Sequence, residues 1–292
     1  MSHSGSGEGR AVVLGGGGVA GIAWMTGLLL GLRDEGVEPG HTADVLIGTS
    51  AGSTVAAQIA CGCDLDDLFQ RQTLPERQVA ELVPKPHLVE LIGNALPVLF
   101  RLTDAVERTR RIGELAANST TVDEAQRRAV IADRLPSHHW PDRQLRIVAV
   151  NIATGEPQIF DKDSGVSLVD AVAASCAVPG MWPPVSINGQ RYMDGGIHSS
   201  DNAYLAAGSA KVLILSPLGT QGMTLPGSAN LTSQAEALRQ GGADVTLVEP
   251  DEASREAMGK NPLSPETRLP AAMAGRAQGR AIAASLADNP AA

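Results

Sequence analysis

The sequence predicts an α/β fold, with three α/β/α layers around a mostly parallel central sheet. Three observations predict it. Strand-like apolar runs alternate with helix-like stretches along most of the chain. The chain opens as strand, glycine-rich turn, helix and second strand. That second strand then runs into Gly48-Thr49-Ser50-Ala51-Gly52 and a small-residue helical stretch. Strands covered by helices on both faces read as continuous apolar runs, which is the pattern here.

In chain order, Met1 to Gly9 is polar and Ser/Gly-rich and reads as a flexible tail. Arg10 to Leu14 reads as a buried strand, Gly21 to Glu35 as a helix ended by Gly36, and Ala43 to Ile47 as the next strand. Ser53 to Ala60 carries the helix after the pentapeptide. Residues 64 to 134 are mostly helical by pattern, with breaks at Pro75, Pro84, Pro86, Gly93 and Pro97, and read as an inserted helical cap. Strand signals return at Gln144 to Asn151 and Pro157 to Asp161. A helix from Ser167 to Ala177 comes next, then strands at Arg191 to Met193, Lys211 to Ser216 and Asp244 to Glu249. Pro217 to Ser228 is a Gly/Pro-rich loop. Leu269 to Leu286 is an Ala-rich helix with Arg276 and Arg280 one turn apart, expected to pack on the flank of the domain.

The 292 residues are 43% hydrophobic and 19% charged, which places the chain in the globular class. A net charge of −9 argues against a general affinity for nucleic acid or strongly anionic membranes. The start lacks the basic and apolar regions of a secretory signal, and no long apolar run occurs elsewhere, so a cytoplasmic location is expected. Three cysteines make no disulfide framework, and Cys61-Gly62-Cys63 lacks a second ligand pair for zinc.

Gly48 to Gly52 is a GxSxG string between a strand and a helix, the setting of a nucleophile elbow, in which a sharp turn presents the serine hydroxyl to a substrate. The string alone is weak; its context carries the weight. Ser50 is the candidate nucleophile. Gly15 to Gly21 sits where the first strand meets the first helix, and free amides there suit either of two chemistries. Gly16, Gly18 and Gly21 satisfy GxGxxG, which would hold a pyrophosphate. The same amides, from Gly16, Gly17 and Gly18, would form an oxyanion hole. A dinucleotide site wants an acid at the end of the second strand, where this chain has Gly48-Thr49-Ser50, and Asp44 lies at the wrong end. The oxyanion reading is preferred, with a structural glycine turn as the plain alternative.

A serine nucleophile needs a base. Of the histidines, His3, His41, His87, His138 and His139 stand in tail, loop, cap or linker segments, and only His198 lies near another motif. That motif is Asp194-Gly195-Gly196, an acid at a strand end with two glycines after it, which read alone is a β-turn.

Taken together, Gly16 to Gly21, Gly48 to Gly52 and Asp194 to Gly196 resemble the patatin-like phospholipases, as does Ala173 to Val185 just before the Asp-Gly pair. The resemblance covers about residues 10 to 217. It implies a catalytic domain of that extent with its cap at about 64 to 134, and residues 218 to 292 completing the same α/β domain. It also implies Ser50 as nucleophile, Asp194 as base without histidine, and the Gly16, Gly17 and Gly18 amides as oxyanion donors. The motif glycines are Gly21, Gly48, Gly52, Gly195 and Gly196. The expected activity is hydrolysis of lipid carboxylic esters through an acyl-enzyme, needing no metal or organic cofactor. An acyltransferase or a neutral-ester esterase would use the same groups, and a nucleotide-binding or non-catalytic protein is the reading from another class. The family carries Arg or Lys where this chain has Ala20, so a positive charge beside the site is expected to be lost. Partners are a lipid or ester substrate, with transient contact to a membrane surface in view through the apolar segment Leu88 to Leu102, whose plainer reading is a packed helix. Head group and oligomeric state are not encoded legibly.

Overall fold

The computed structural model describes residues 9–82, 104–220 and 230–288. The segment Leu88 to Leu102, the tail up to residue 8, and residues 221–229 of the Gly/Pro-rich loop lie outside the described residues, as do His3 and His87.

A mixed sheet forms the middle layer. β1 (Arg10–Leu14) pairs in parallel with β2 (Val45–Thr49) and with β7 (Lys211–Leu215). β2 pairs in parallel with β3 (Gln144–Asn151), and β7 with β8 (Asp244–Val248). The antiparallel pairs involve β3 with β4 (Pro157–Phe160) and β6 (Gln190–Asp194), and β6 with β5 (Val185–Ile187). The order is β5-β6-β3-β2-β1-β7-β8, with β4 on β3.

Alternation along the strands feeds two cores. Val12, Leu14, Leu46 and Leu213 enter one with α1 (Gly18–Asp34), α3 (Ala51–Ala60), α7 (Leu168–Ser175) and α10 (Arg268–Asp288). Ala11, Val13, Ile47 and Ile214 enter the other, closed by Ala203, Ala206 and α8 (Leu231–Gln240). Both faces are covered, as continuous apolar strands require. The remaining helices are α2 (Pro39–Thr42), α4 (Leu65–Thr73), α5 (Ala105–Asn118), α6 (Glu124–Arg134) and α9 (Glu252–Met258). Asp64, Asp104 and Asp123 cap α4, α5 and α6, each accepting backbone N–H groups of the first turn.

Three local expectations need correction. α1 begins at Gly18 rather than Gly21; Gly18, with a φ of 61°, makes the left-handed turn that glycine tolerates at the helix start. His41 lies in α2 and not in a loop. β6 contains the expected strand Arg191 to Met193, but β5 and the hairpin joining them are absent from the expected elements, although Asn188-Gly189 at the tip, with φ of 50° and 77°, is a strong hairpin signal.

The register sets the site. Thr49 stands opposite Val148 and Asp194 opposite Ala149, so consecutive residues of β3 hold the ends of β2 and β6 side by side. Two distant parts of the chain are brought together by one strand.

Candidate active site

Ser50 joins β2 to α3 with φ 53° and ψ −118°, a conformation strained for any residue with a Cβ. The strain therefore sits on the serine itself. The glycines of the elbow provide space instead, since a Cβ on Gly52 would come within 1.9 Å of the Leu14 carbonyl oxygen, and one on Gly48 within 2.5 Å of Ser53 Cα. Hydrogen bonds hold the bend from both sides. Ser50 N–H donates to Ser175 Oγ at 2.9 Å, and that hydroxyl donates to the Val148 carbonyl at 2.6 Å. The Ser50 carbonyl accepts from Ser53 Oγ at 2.6 Å and from Cys176 Sγ at 3.2 Å. Burial pushes the Cys176 thiol pKa up, so it acts as a neutral donor.

Asp194 ends β6 with 4% exposure. Its Oδ1 accepts the Gly196 N–H at 2.7 Å, while Oδ2 is buried without a formed hydrogen bond among the described residues. Burial raises its pKa to about 6; the Ser50 hydroxyl, the Gly196 amide and the Arg127 charge pull the other way. Ser50 and Asp194 thus line one cavity, and the hydroxyl favours the ionised carboxyl. Gly195 fits because a Cβ there would meet the Val148 carbonyl oxygen at 2.3 Å.

The glycine turn lies against the serine: a Cβ built on Gly16 would be 3.6 Å from Ser50 Cβ. Its amides are not equivalent. Gly16 N–H already donates to the Ser200 carbonyl at 2.8 Å, which removes it from the expected oxyanion donors. Gly17 and Gly18 open α1, where first-turn amides lack helical partners, and no acceptor for them occurs among the described residues. Gly21 N–H closes onto the Gly17 carbonyl at 2.8 Å. Beneath the turn, a Cβ on Gly15 would strike Asp201 Oδ1 at 2.1 Å, and burial raises the pKa of that carboxyl to about 7.

A cavity of about 410 Å³ joins these groups, lined by Gly17, Ser50, Asp194, Met181 and Trp182 among others, and its exposed lining is mostly apolar. His198 is not among the residues lining it. Its ring packs edge-on against Tyr204 at 5.8 Å, and burial lowers its pKa.

Sequence reasoning missed several groups here. Ser175 and Cys176 stood inside the stretch Ala173 to Val185 but carried no signal of their role. Glu81, which lies outside any helix, and Arg127 and Arg134 of α6 also line the cavity, although charged residues on a helix ordinarily read as a solvated face.

The family model described as patatin-like phospholipase matches residues 12–207. Among solved structures, the chain is similar to VipD from Legionella pneumophila, with a TM-score of 0.47 and 14% identity over 95% of this chain and 67% of that one. It is also similar to the type III effector protein ExoU, with a TM-score of 0.41 and 16% identity over 95% of this chain and 53% of that one. A chain from the SpcU–ExoU complex of Pseudomonas aeruginosa gives a TM-score of 0.38 and 18% identity over 94% and 53%. The chain spans about two thirds of VipD's length and about half of the others'. The family match takes in the glycine turn, the elbow and Asp194 and extends over more than half of the 292 residues, so the chain belongs to the patatin-like phospholipase family and with it to the hydrolases of ester bonds.

Proposed function

We propose that the chain is a serine lipid acyl hydrolase that works through a Ser50–Asp194 dyad. The observation that carries this reading is a strained serine set beside a buried carboxyl whose pKa is raised to about 6, both opening on one largely apolar cavity.

In the proposed reaction, Asp194 takes the Ser50 hydroxyl proton as Oγ attacks the ester carbonyl carbon. The carbonyl oxygen gains the electron pair and lies toward the Gly17 and Gly18 amides, which meet no acceptor among the described residues and whose helix N-terminus favours negative charge. Collapse breaks the bond to the alcohol, which leaves with the proton from Asp194. Water then gives a proton to Asp194 as it attacks the acyl carbon, and when the acyl–Oγ bond breaks Asp194 passes that proton to Ser50 Oγ, so the fatty acid leaves and both groups are restored. An alcohol in place of that water would make the same site a transferase.

Residues 10–217 are assigned to the catalytic domain, with 218–292 part of the same folding unit. This is supported by Pro262 and Leu263, which line the cavity, and by the Pro262 carbonyl, which accepts Ala20 N–H at 2.9 Å. Among the described residues no helix is long and apolar enough to cross a membrane.

The test uses a fluorophosphonate probe and a p-nitrophenyl ester. Wild type should label and turn over, Ser50→Ala should do neither, and Asp194→Asn should lose at least a hundredfold in kcat, while His198→Ala keeps most of its activity. Labelling of Ser50→Ala at the wild-type rate would end this assignment.

A further inference from the structure

Beside the cavity, a buried cluster holds more positive charge than its own carboxylate balances, and two of its cations, Arg127 and Arg134, line the cavity. Arg127 and Arg134, both from α6, and Arg268 at the start of α10 all converge on Glu81. Glu81 Oε1 accepts from Arg127 Nη1 at 2.8 Å, and Oε2 accepts from Arg134 and, at 3.4 Å, from Arg268. The four side chains are 3 to 8% exposed. Guanidinium stays protonated in proteins. Three buried cations therefore face one carboxylate, and counting Asp194 as the second still leaves one charge unmet among the described residues. Uncompensated buried charge is costly, and a bound anion relieves it.

Two donors point to where that anion sits. Arg127 lies face-on to Trp182, its Cζ 3.9 Å from the ring centroid. Arg127 Nε and Trp182 Nε1 are both buried with no hydrogen-bond partner among the described residues, and both residues line the cavity that holds Ser50. A planar guanidinium fork with an unused N–H suits a carboxylate or a phosphate oxygen. In an ester bound at Ser50 the acyl chain's own carboxyl is the bond under attack, so any remaining anion belongs to the alcohol portion.

Resting on the hydrolase reading, we propose that Arg127 and Arg134, with the indole N–H of Trp182, form an anion subsite that seats a phosphodiester on the alcohol side of the substrate. The positive charge that Ala20 does not supply from the glycine turn comes here from α6. Arg268 stands behind the pair and holds Glu81 in place, also donating to the Val79 carbonyl at 3.0 Å. Arg127 and Arg134 thereby discriminate anionic from neutral esters.

Two measurements test this. The first is calorimetric binding of sn-glycero-3-phosphoglycerol, inorganic phosphate and butyrate to the Ser50→Ala protein, which needs no turnover. The diester should bind best, and adding Arg127→Met should weaken it at least tenfold. If inorganic phosphate binds as tightly, the site serves free phosphate. If only butyrate binds, it serves the released acid. Either result overturns the proposal, as does no binding at all. The second is the ratio of kcat/KM for a lysophospholipid over a monoacylglycerol of the same acyl chain. Wild type should favour the lysophospholipid at least tenfold, and Arg127→Lys, which keeps charge but not the fork, should lower the ratio severalfold. A wild-type ratio near one overturns the proposal and needs no variant to fold. Should no ester turn over and Ser50 resist the probe, the hydrolase reading fails, while the binding measurement still decides the subsite.

Discussion

On the dyad reading, Asp194 must be buried enough to be a useful base and ionised enough to be one at all. Burial pushes its pKa up, and the Ser50 hydroxyl, the Gly196 amide and Arg127 hold it at about 6. A base at that value is ionised at neutral pH yet far more basic than an exposed aspartate. On the dyad reading, kcat/KM for a neutral ester should rise with pH, reach half its plateau near pH 6 and stay flat above about 7. In Arg127→Met that midpoint should move upward, because a charge favouring the carboxylate is gone; a pH–rate profile checks both.

The same residue has a stability signature of opposite sense. Its folded pKa lies above the unfolded value of 3.8, so the folded state holds the proton more tightly. The stability this gives is full below about pH 4 and is lost as pH rises through about 6, a difference of ~3 kcal/mol. Asp194→Asn should accordingly raise Tm at pH 8, with the gain shrinking toward pH 4, as thermal scans across pH would register. As candidates, Ser50 and Asp194 were legible because turn chemistry marks both, and the fold sets them on one cavity. The arginines were not, since their partner Glu81 lies 46 or more positions away and nothing local announces burial.

At the scale of elements, two devices hold the site, and they differ in how openly the sequence states them. The elbow is announced by its glycines, but Ser175, which fastens it to β3, is silent. Ser175→Ala would leave the Ser50 N–H buried and unpaired, a loss of ~1–3 kcal/mol. Its kcat should fall more than tenfold with KM little changed, measurable by steady-state kinetics. The α1–α10 pair is the second device. Gly27 and Gly31 on α1 face Gly275 and Gly279 on α10 so closely that a Cβ on Gly31 would stand 2.2 Å from the Arg276 carbonyl oxygen. Alanine gains ~1 kcal/mol of helix propensity over glycine, whereas overpacking costs ~1–3 kcal/mol and here meets backbone that cannot rotate away. Gly31→Ala should therefore lower Tm despite its better propensity. The sequence showed these helices but not their union, because glycines four residues apart read locally as weak points in a helix.

For the whole molecule, the question is whether the stretch that carries the motifs can stand without the C-terminal residues 218–292. The family match ends at residue 207 and β7 at Leu215, yet the fold does not close there. β8 covers the open edge of β7, and α10 covers α1, where Trp24 is fully buried and donates from Nε1 to Gln278 Oε1 at 2.9 Å. Asp34 on α1 receives Arg276 at 2.8 Å and Arg280 at 2.7 Å, so the two arginines one turn apart grip a single carboxylate across the helix pair. Arg268 reaches from α10 to Glu81 in the cavity wall. Removing residues 218–292 would uncover a strand edge, an indole, a glycine-lined helix face and a buried charge cluster at once, more than the ~5–15 kcal/mol of a typical domain can absorb. A chain ending at Pro217 should show no cooperative thermal transition by circular dichroism and no fluorophosphonate labelling of Ser50. If it instead melts cooperatively and labels, the C-terminal extension is an accessory, and the proposed division of the molecule must be redrawn.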